Sequence, residues 1–154
     1  MSAATAYALP EDSEQPIEIR ADEARSEPDG TSVLTGDVQI DQGTLSLAAE
    51  RVTVATRDKR LHKIVAEGDS DAPVRFRQQI QADEPFANGH ANHIDYAVAE
   101  QRLALKGDAF LSVGDREFEG DLITWDIEDG RVDARSDMPR RTTLKWQPKP
   151  KPED

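Results

Sequence analysis

The sequence contains no cysteine, so neither a disulfide framework nor a thiolate metal site is available. Aromatic residues make up only 5% of the 154 positions, and hydrophobic residues 36%. No apolar run approaches the roughly 20 residues that a membrane-spanning helix needs. What is left is a chain of single-domain length that can bury a modest core.

Basic residues are also in the minority. Nineteen lysines and arginines stand against 31 acidic residues, which gives a net charge of -12. Such a surface repels nucleic acid and anionic headgroups, so we expect no nucleic-acid partner. If the ligand is anionic, something other than bulk charge must hold it.

An internal repeat is the main positive feature of the sequence. Ten positions recur under one shift of 71 residues without a gap. They are Leu34, Gly36, Asp37, Gly43, Leu47, Glu50, Val52, Thr53, Asp58 and Arg60 in the first copy, and Leu105, Gly107, Asp108, Gly114, Phe118, Asp121, Ile123, Thr124, Asp129 and Arg131 in the second. A partial third copy lies between them. Such a repeat indicates stacked units that bury a shared apolar face.

Short alternating segments separated by turn residues predict an antiparallel all-β fold, as a sandwich, a jelly roll or a solenoid. Residues 21–27 fit an irregular strand or a turn of helix, and Asp83 to Asn88 has the composition of a loop. The strand at Ile17 and the last strand, at 142–146, carry few features that protect an edge. We therefore expect them to invite pairing with another chain.

Both ends of the chain differ from the middle in composition. Residues 1–14 are small, polar and acidic and predict a disordered lead, whereas 147–154 are rich in proline and lysine and predict a disordered, solvated tail. Residues 15–146 are then the folded domain. Ala6-Tyr7-Ala8 has the small-x-small pattern that ends signal peptides, so we expect an exported protein.

One face of the alternating strands is apolar throughout. It consists of Leu34, Val38, Ile40, Leu47, Val52, Val54, Phe76, Ile94, Tyr96, Val98, Leu103, Leu105, Leu111, Phe118, Ile123 and Trp125. This lining is either a closed core or, if two sheets diverge, a groove for an apolar ligand. Periodicity alone does not decide between them.

Carboxylates and histidines are the candidate catalytic and metal-binding groups of the sequence. The pairs Glu119 with Asp121 and Asp126 with Glu128 alternate with apolar residues, which places them on the solvated face, where a general acid does not gain a raised pKa. His90 and His93 lie three positions apart without an evident third ligand. We therefore expect no catalysis, no metal and no cofactor.

An ordered set of segments resembles a known family. The segments are Gln15-Pro16-Ile17, Leu34-Thr35-Gly36-Asp37-Val38, Gln42-Gly43-Thr44-Leu45, Ala49-Glu50-Arg51-Val52, Pro73-Val74-Arg75-Phe76, Gly89-His90-Ala91, Ile94-Asp95-Tyr96, Leu105-Lys106-Gly107-Asp108-Ala109 and Gly120-Asp121-Leu122-Ile123-Thr124. In this order they resemble the OstA family over roughly Gln15 to Trp146.

The resemblance implies an open, slightly twisted antiparallel β-jelly roll in the periplasm, whose apolar interior groove shields the acyl chains of lipopolysaccharide. It also implies copies stacked head to tail through edge strands, between an inner-membrane LptC-like component and an outer-membrane LptD-like translocon. Lipid-contacting positions of the family match Ile17, Phe76, Tyr96 and Val98. Because an acidic surface does not favour binding of the phosphate-bearing headgroup, we expect the headgroup to stay in solvent. With the apolar face, the predicted lipid-binding set is Ile17, Leu34, Val38, Ile40, Val52, Val54, Phe76, Ile94, Tyr96, Val98, Leu105, Leu111, Phe118, Ile123 and Trp125.

Three alternatives remain open at the level of sequence. The chain could be a closed structural or adhesive β module without a ligand, or a carbohydrate-active enzyme that uses carboxylates of the solvated face. Within the family, it could be the periplasmic part of a membrane-anchored component or of the translocon.

Overall fold

The computed structural model describes residues 16–79 and 86–146. Within these ranges the chain forms twelve strands and no helix, and every pairing is antiparallel. The strands are β1 (Glu18–Arg20), β2 (Glu23–Ser26), β3 (Thr31–Gln42), β4 (Leu45–Arg57), β5 (Arg60–Glu67), β6 (Val74–Gln79), β7 (Phe86–Ala91), β8 (His93–Ala97), β9 (Arg102–Val113), β10 (Arg116–Asp126), β11 (Arg131–Arg135) and β12 (Thr143–Trp146). In the described ranges, no helix could span a bilayer. The predicted lead, 1–14, and tail, 147–154, lie outside them.

Four long strands, β3, β4, β9 and β10, each belong to two half-sheets. Residues 51–57 of β4 pair with β5, whereas residues 46–48 pair with β6. Likewise, β9 pairs with β8 through 102–106 and with β7 through 110–112. Half-sheet I thus includes β2, β5, β8 and β11, and half-sheet II includes β1, β6, β7 and β12. The long strands connect the two.

The two half-sheets face each other across one core. The rings of Phe76, in half-sheet II, and Trp125, in half-sheet I, are stacked with centroids 6.2 Å apart. Both belong to a single cluster of buried hydrophobic residues to which both half-sheets contribute. This arrangement is the jelly roll, and it buries the apolar face of every long strand.

The repeated glycines mark the line along which the long strands fold over. Gly36 and Asp37 have φ of 84° and 45°, and Gly107 and Asp108 have φ of 81° and 46°. The ladder between β3 and β4 shifts register at the first pair. The carbonyl of Gly36 accepts a 2.9 Å hydrogen bond from the amide of Asp22, and Gly107 accepts an equivalent bond from Asn92. The repeat is therefore a repeat of backbone geometry, which confirms its interpretation as a structural unit.

The hairpins follow from local turn chemistry. Gly43-Thr44 and Gly114-Asp115 form two-residue loops at equivalent positions of the repeat. Between β4 and β5 the loop is Asp58-Lys59, with φ of 54° and 64°. Two positive φ angles in a two-residue hairpin are the signature of a type I′ turn, which matches the twist of the flanking strands.

The predictions for residues 21–27 and for the loop at Asp83 to Asn88 have different outcomes. Residues 23–26 form strand β2, which resolves the ambiguity there in favour of a strand. The loop predicted to Asn88 is wrong in its last three residues, because β7 begins at Phe86. The inward positions of β7 are Ala87, Gly89 and Ala91, which are too small to give an apolar alternation. A Cβ at Gly89 would lie 2.6 Å from the carbonyl oxygen of Phe110, so the strand needs glycine there.

Candidate functional site

Most of the predicted lipid-binding residues lie together in the interior. Those that are at most 7% exposed are Leu34, Val38, Ile40, Val52, Val54, Phe76, Ile94, Leu105, Leu111, Phe118, Ile123 and Trp125. Ile17 and Tyr96 are half-buried and pack against this cluster. In the middle of the jelly roll Val52, Ile94 and Leu105 are fully excluded from solvent. There the lining is a packed core.

The interior opens at the end opposite the fold line. A cavity of about 1060 Å³ lies there, called the mouth below, lined by Ile17, Gln42, residues 57–62 and residues 98–101. Gln42 ends β3 in half-sheet II and Arg57 ends β4 in half-sheet I. The mouth therefore lies between the free ends of the two half-sheets.

Backbone hydrogen bonds hold the turns that line the mouth. The amide of Val98 donates to the carbonyl of His62 at 3.1 Å, and the amide of Gln101 donates to Val98 at 3.1 Å. Val98 follows β8 and is half-buried at the mouth, not in the packed core. The predicted lipid-binding set thus divides into a core group and a group at the mouth.

The mouth combines an apolar floor with a basic rim. Ile17, Leu61 and Val98 are its aliphatic residues, and Arg57, Lys59 and Arg60 its cations. Within the described ranges none of these three cations forms an ion pair. Neither Leu61 nor the rim was predicted as part of the site, although the charged turn itself was evident in the sequence.

Two of the candidate carboxylates, Asp121 and Asp126, have surroundings that suit ionised groups. A hydrogen bond from Arg140 lowers the pKa of Asp121, assisted by the backbone amide of Asp137. The pKa of Asp126 is lowered by the backbone amide of Asp129 and then by Arg102. A general acid needs the opposite shift. These side chains are therefore poor proton donors at neutral pH.

The two histidines are engaged separately on the outer faces. The His90 ring stacks on Phe110 with centroids 5.2 Å apart, and partial burial and then Arg75 lower its pKa. His93 Nε2 lies 2.7 Å from Asp95 Oδ1. Across residues 16–79 and 86–146, no group of three His, Asp or Glu side chains could hold a metal ion.

The sequence matches one family of known proteins over most of its length. The family model for the LptA/(LptD N-terminal domain) LPS transport protein matches residues 18–131. This chain belongs to that family. The match spans both half-sheets, the fold line and the β4–β5 turn of the mouth.

Relatives within the family cover nearly the whole chain. The lipopolysaccharide export system protein LptA of Escherichia coli K12 is 32% identical over 139 residues, which are 90% of this chain and 74% of the relative. LptH of Pseudomonas aeruginosa is 30% identical over 137 residues, 87% of this chain and 76% of the relative. The crystal structure of LptH, described as the LptA homologous periplasmic component of the lipopolysaccharide transport device, superposes with a TM-score of 0.82 at 28% identity. The superposition covers 90% of this chain and 100% of the LptH chain. The predicted β-jelly roll is confirmed.

As in the predicted family architecture, the jelly roll ends in unprotected strand edges. β1 and β2 pair only with β3, and β11 and β12 only with β10, among the residues described. All four residues of β12 are exposed, with Leu144 at 60% and Trp146 at 66%. The indole Nε1 of Trp146 donates to Asp115 Oδ2 at 2.6 Å. An exposed apolar edge of this kind is suited to strand pairing.

A cluster around Arg140 holds the segment that leads into β12. Arg140 Nη1 lies 2.7 Å from Asp121 Oδ1 and 3.4 Å from Asp108 Oδ1. The amide of Asp137 donates to Asp121 Oδ2 at 2.9 Å. We call this set the clasp. It fixes the C-terminal edge to the fold line of the second repeat.

Proposed function

We propose that this protein is a periplasmic carrier of lipopolysaccharide, which shields the lipid A acyl chains between its two half-sheets. The observation that carries the proposal is an apolar interior shared by both half-sheets and continuous with an open mouth, in a chain of the LPS transport family. The predicted lipid-binding residues of the packed core and of the mouth would form the path of the acyl chains.

The energetics favour such a role. Each CH₂ group that leaves water contributes about 0.8 kcal/mol, so several acyl chains bind strongly without any covalent step. The packed middle must separate to admit them. Its side chains are aliphatic or aromatic, so contacts between side chains are replaced by contacts with acyl chains of similar character. Opening the half-sheets with lipid present therefore exposes little apolar surface to water.

Transport over a distance requires neighbours. We propose that copies stack head to tail, the β1/β2 edge of one meeting the β11/β12 edge of the next, between an LptC-like component in the inner membrane and an LptD-like translocon in the outer membrane. The exposed Leu144 and Trp146 would be covered in that contact. The direction of transport is then set by an energy source in another component.

Site-specific photo-crosslinking tests the lipid path. A photoreactive residue at Phe76 or Tyr96 should form adducts with lipopolysaccharide, and one at Thr124, on the opposite face of β10 from Trp125, should not. Absence of adducts at both interior positions would contradict the proposal and favour a closed structural module.

Light scattering of the variant Leu144→Asp tests the assembly. We expect the domain to stay folded and to shift toward monomer, because a charge on the exposed edge opposes strand pairing. Thr53→Asp, which places a charge on β4 between β3 and β5 and away from both edges, is the control. An unchanged oligomer size would count against the edge contact.

A further inference from the structure

We propose that the basic turn at the mouth binds phosphate groups on the headgroup of the amphiphile whose acyl chains enter the interior. The inference rests on the proposed function and adds a polar subsite to it. It also replaces the expectation, based on the net charge of the whole chain, that the headgroup stays in solvent.

The net charge of the mouth is opposite in sign to that of the whole molecule, because its lining holds three cations against two carboxylates, Asp58 and Glu100. The chain carries a net charge of -12, yet Arg57, Lys59 and Arg60 stand on one four-residue turn with a single acidic residue, Asp58. The arginines with a described ion pair all lie elsewhere, and these three cations have no ion pair among the described residues. Their charge is therefore available to a ligand. Guanidinium groups in particular match phosphate through paired hydrogen bonds.

The internal repeat shows that the fold does not require two of these cations, Arg57 and Lys59, whereas Arg60 recurs as Arg131. The shift of 71 residues places Arg57 on Glu128 and Lys59 on Gly130, at the equivalent turn between β10 and β11. That second turn is acidic and has no lining role in the mouth. Two turns at equivalent positions of the repeat thus differ in charge. The basic turn, between β4 and β5, lines the mouth.

The backbone at Lys59 supports the same conclusion. Lys59 has φ of 64°, a left-handed conformation that glycine adopts without strain, and the repeat has glycine at Gly130, with φ of 72°. A lysine at such a position costs stability, and strain of this kind concentrates at functional sites. A binding role for its ammonium group explains why lysine occupies the position.

The neighbourhood indicates a lipid phosphate and not a free anion. Ile17, Leu61 and Val98 line the same cavity as the cations, and Ile17 and Leu61 also pack against the core. An amphiphile can place its phosphates on the rim while its chains pass over this floor. A free phosphate or a nucleic acid has no acyl chain that could contact these aliphatic residues. The acidic surface outside the mouth also repels polyanions.

Affinity measurements with two forms of one lipid test the proposal. The probes are lipid A with two phosphates and the same lipid after dephosphorylation. The variant Arg57→Gln/Lys59→Gln/Arg60→Gln should bind the phosphorylated form roughly ten- to a hundredfold more weakly, from the loss of charged hydrogen bonds. Its affinity for the dephosphorylated form should stay within about twofold of wild type. The matched control, Arg131→Gln/Arg135→Gln/Arg141→Gln, removes three exposed cations that do not line the mouth and should change neither affinity.

A single substitution separates binding from folding. Lys59→Gly copies the second repeat, so it should raise the thermal midpoint while weakening binding of phosphorylated lipid A. Equal affinity of the wild type for both lipids would overturn the headgroup subsite, as would an equal loss of affinity for both lipids in the triple variant. Either result would leave the carrier function standing. Failure of the wild type to bind either lipid would overturn the carrier function, and the subsite with it.

Discussion

The two copies of the internal repeat agree at the fold line and differ at their turns. Gly36-Asp37 and Gly107-Asp108 adopt nearly the same backbone angles and accept the same kind of amide hydrogen bond. The first copy, however, ends in a basic turn at the mouth, and the second ends in an acidic turn and is held by Arg140. The shared backbone geometry at the fold line thus belongs to the jelly roll itself. The turns and the Arg140 contacts, which differ between the copies, belong to the mouth and to the C-terminal edge.

The largest expected difference between the copies concerns the core. Val54 and Trp125 occupy equivalent positions of the repeat and are both buried. Trp125→Ala should lower the free energy of unfolding by about 3–5 kcal/mol, and Val54→Ala by about 2 kcal/mol, because Trp125 leaves the larger cavity and loses its contact with Phe76. Urea denaturation measures both. Equal losses would mean that the interior is packed evenly in the two copies.

The fold line should respond alike in both copies. Gly36→Ala and Gly107→Ala each force a side chain into a left-handed conformation, at a cost of about 1–3 kcal/mol. The new Cβ at Gly36 would also clash with the side chain of Asp22, so part of the loss should be relieved in an Asp22→Ala background, which removes the carboxyl group but keeps the Cβ of residue 22. The loss at Gly107 should be the same with and without Asp22→Ala. A change at Gly107 as well would show that Asp22 acts through overall stability.

The smallest expected effect belongs to the clasp, which only the second copy has. The pKa of Asp121 is lowered by Arg140, so the clasp contributes stability above the ordinary carboxyl value of 3.8 and loses it as the pH falls through the lowered value. The amide signal of Asp137, which binds Asp121, should therefore titrate below pH 3.8 in nuclear magnetic resonance spectra. Arg140→Gln should raise that midpoint, and Arg141→Gln should leave it unchanged. An identical midpoint in Arg140→Gln would show that Arg140 does not hold Asp121.

The sequence predicted the repeat, the strands and the buried face because each depends on local alternation and turn chemistry. The predicted lining from Leu34 to Trp125 lies in the core with few exceptions. β7 was missed in part because its inward residues Ala87, Gly89 and Ala91 are small, and Gly89 lies opposite Phe76. The mouth was missed because Ile17, Leu61 and Val98 come together only when the half-sheets fold over each other. Pairings between distant segments leave no local period.

The resemblance to the OstA family predicted a lipid-binding interior, a choice that the periodicity alone did not make. Alternation defines an apolar face but not whether it encloses a core or a lipid, and the structure has a packed middle and an open end. These two observations are consistent with a carrier that opens from the mouth. The central claim is therefore that acyl chains reach the packed interior.

Quenching of Trp125 fluorescence by brominated acyl chains tests this claim most directly. Trp125 and Trp146 are the two tryptophans of the chain, one in the interior and one on the exposed edge, so Trp146→Phe leaves a single interior probe. Lipid A with brominated chains should quench Trp125, and the same lipid without bromine should not. Binding of the brominated lipid without quenching of Trp125 would contradict the account.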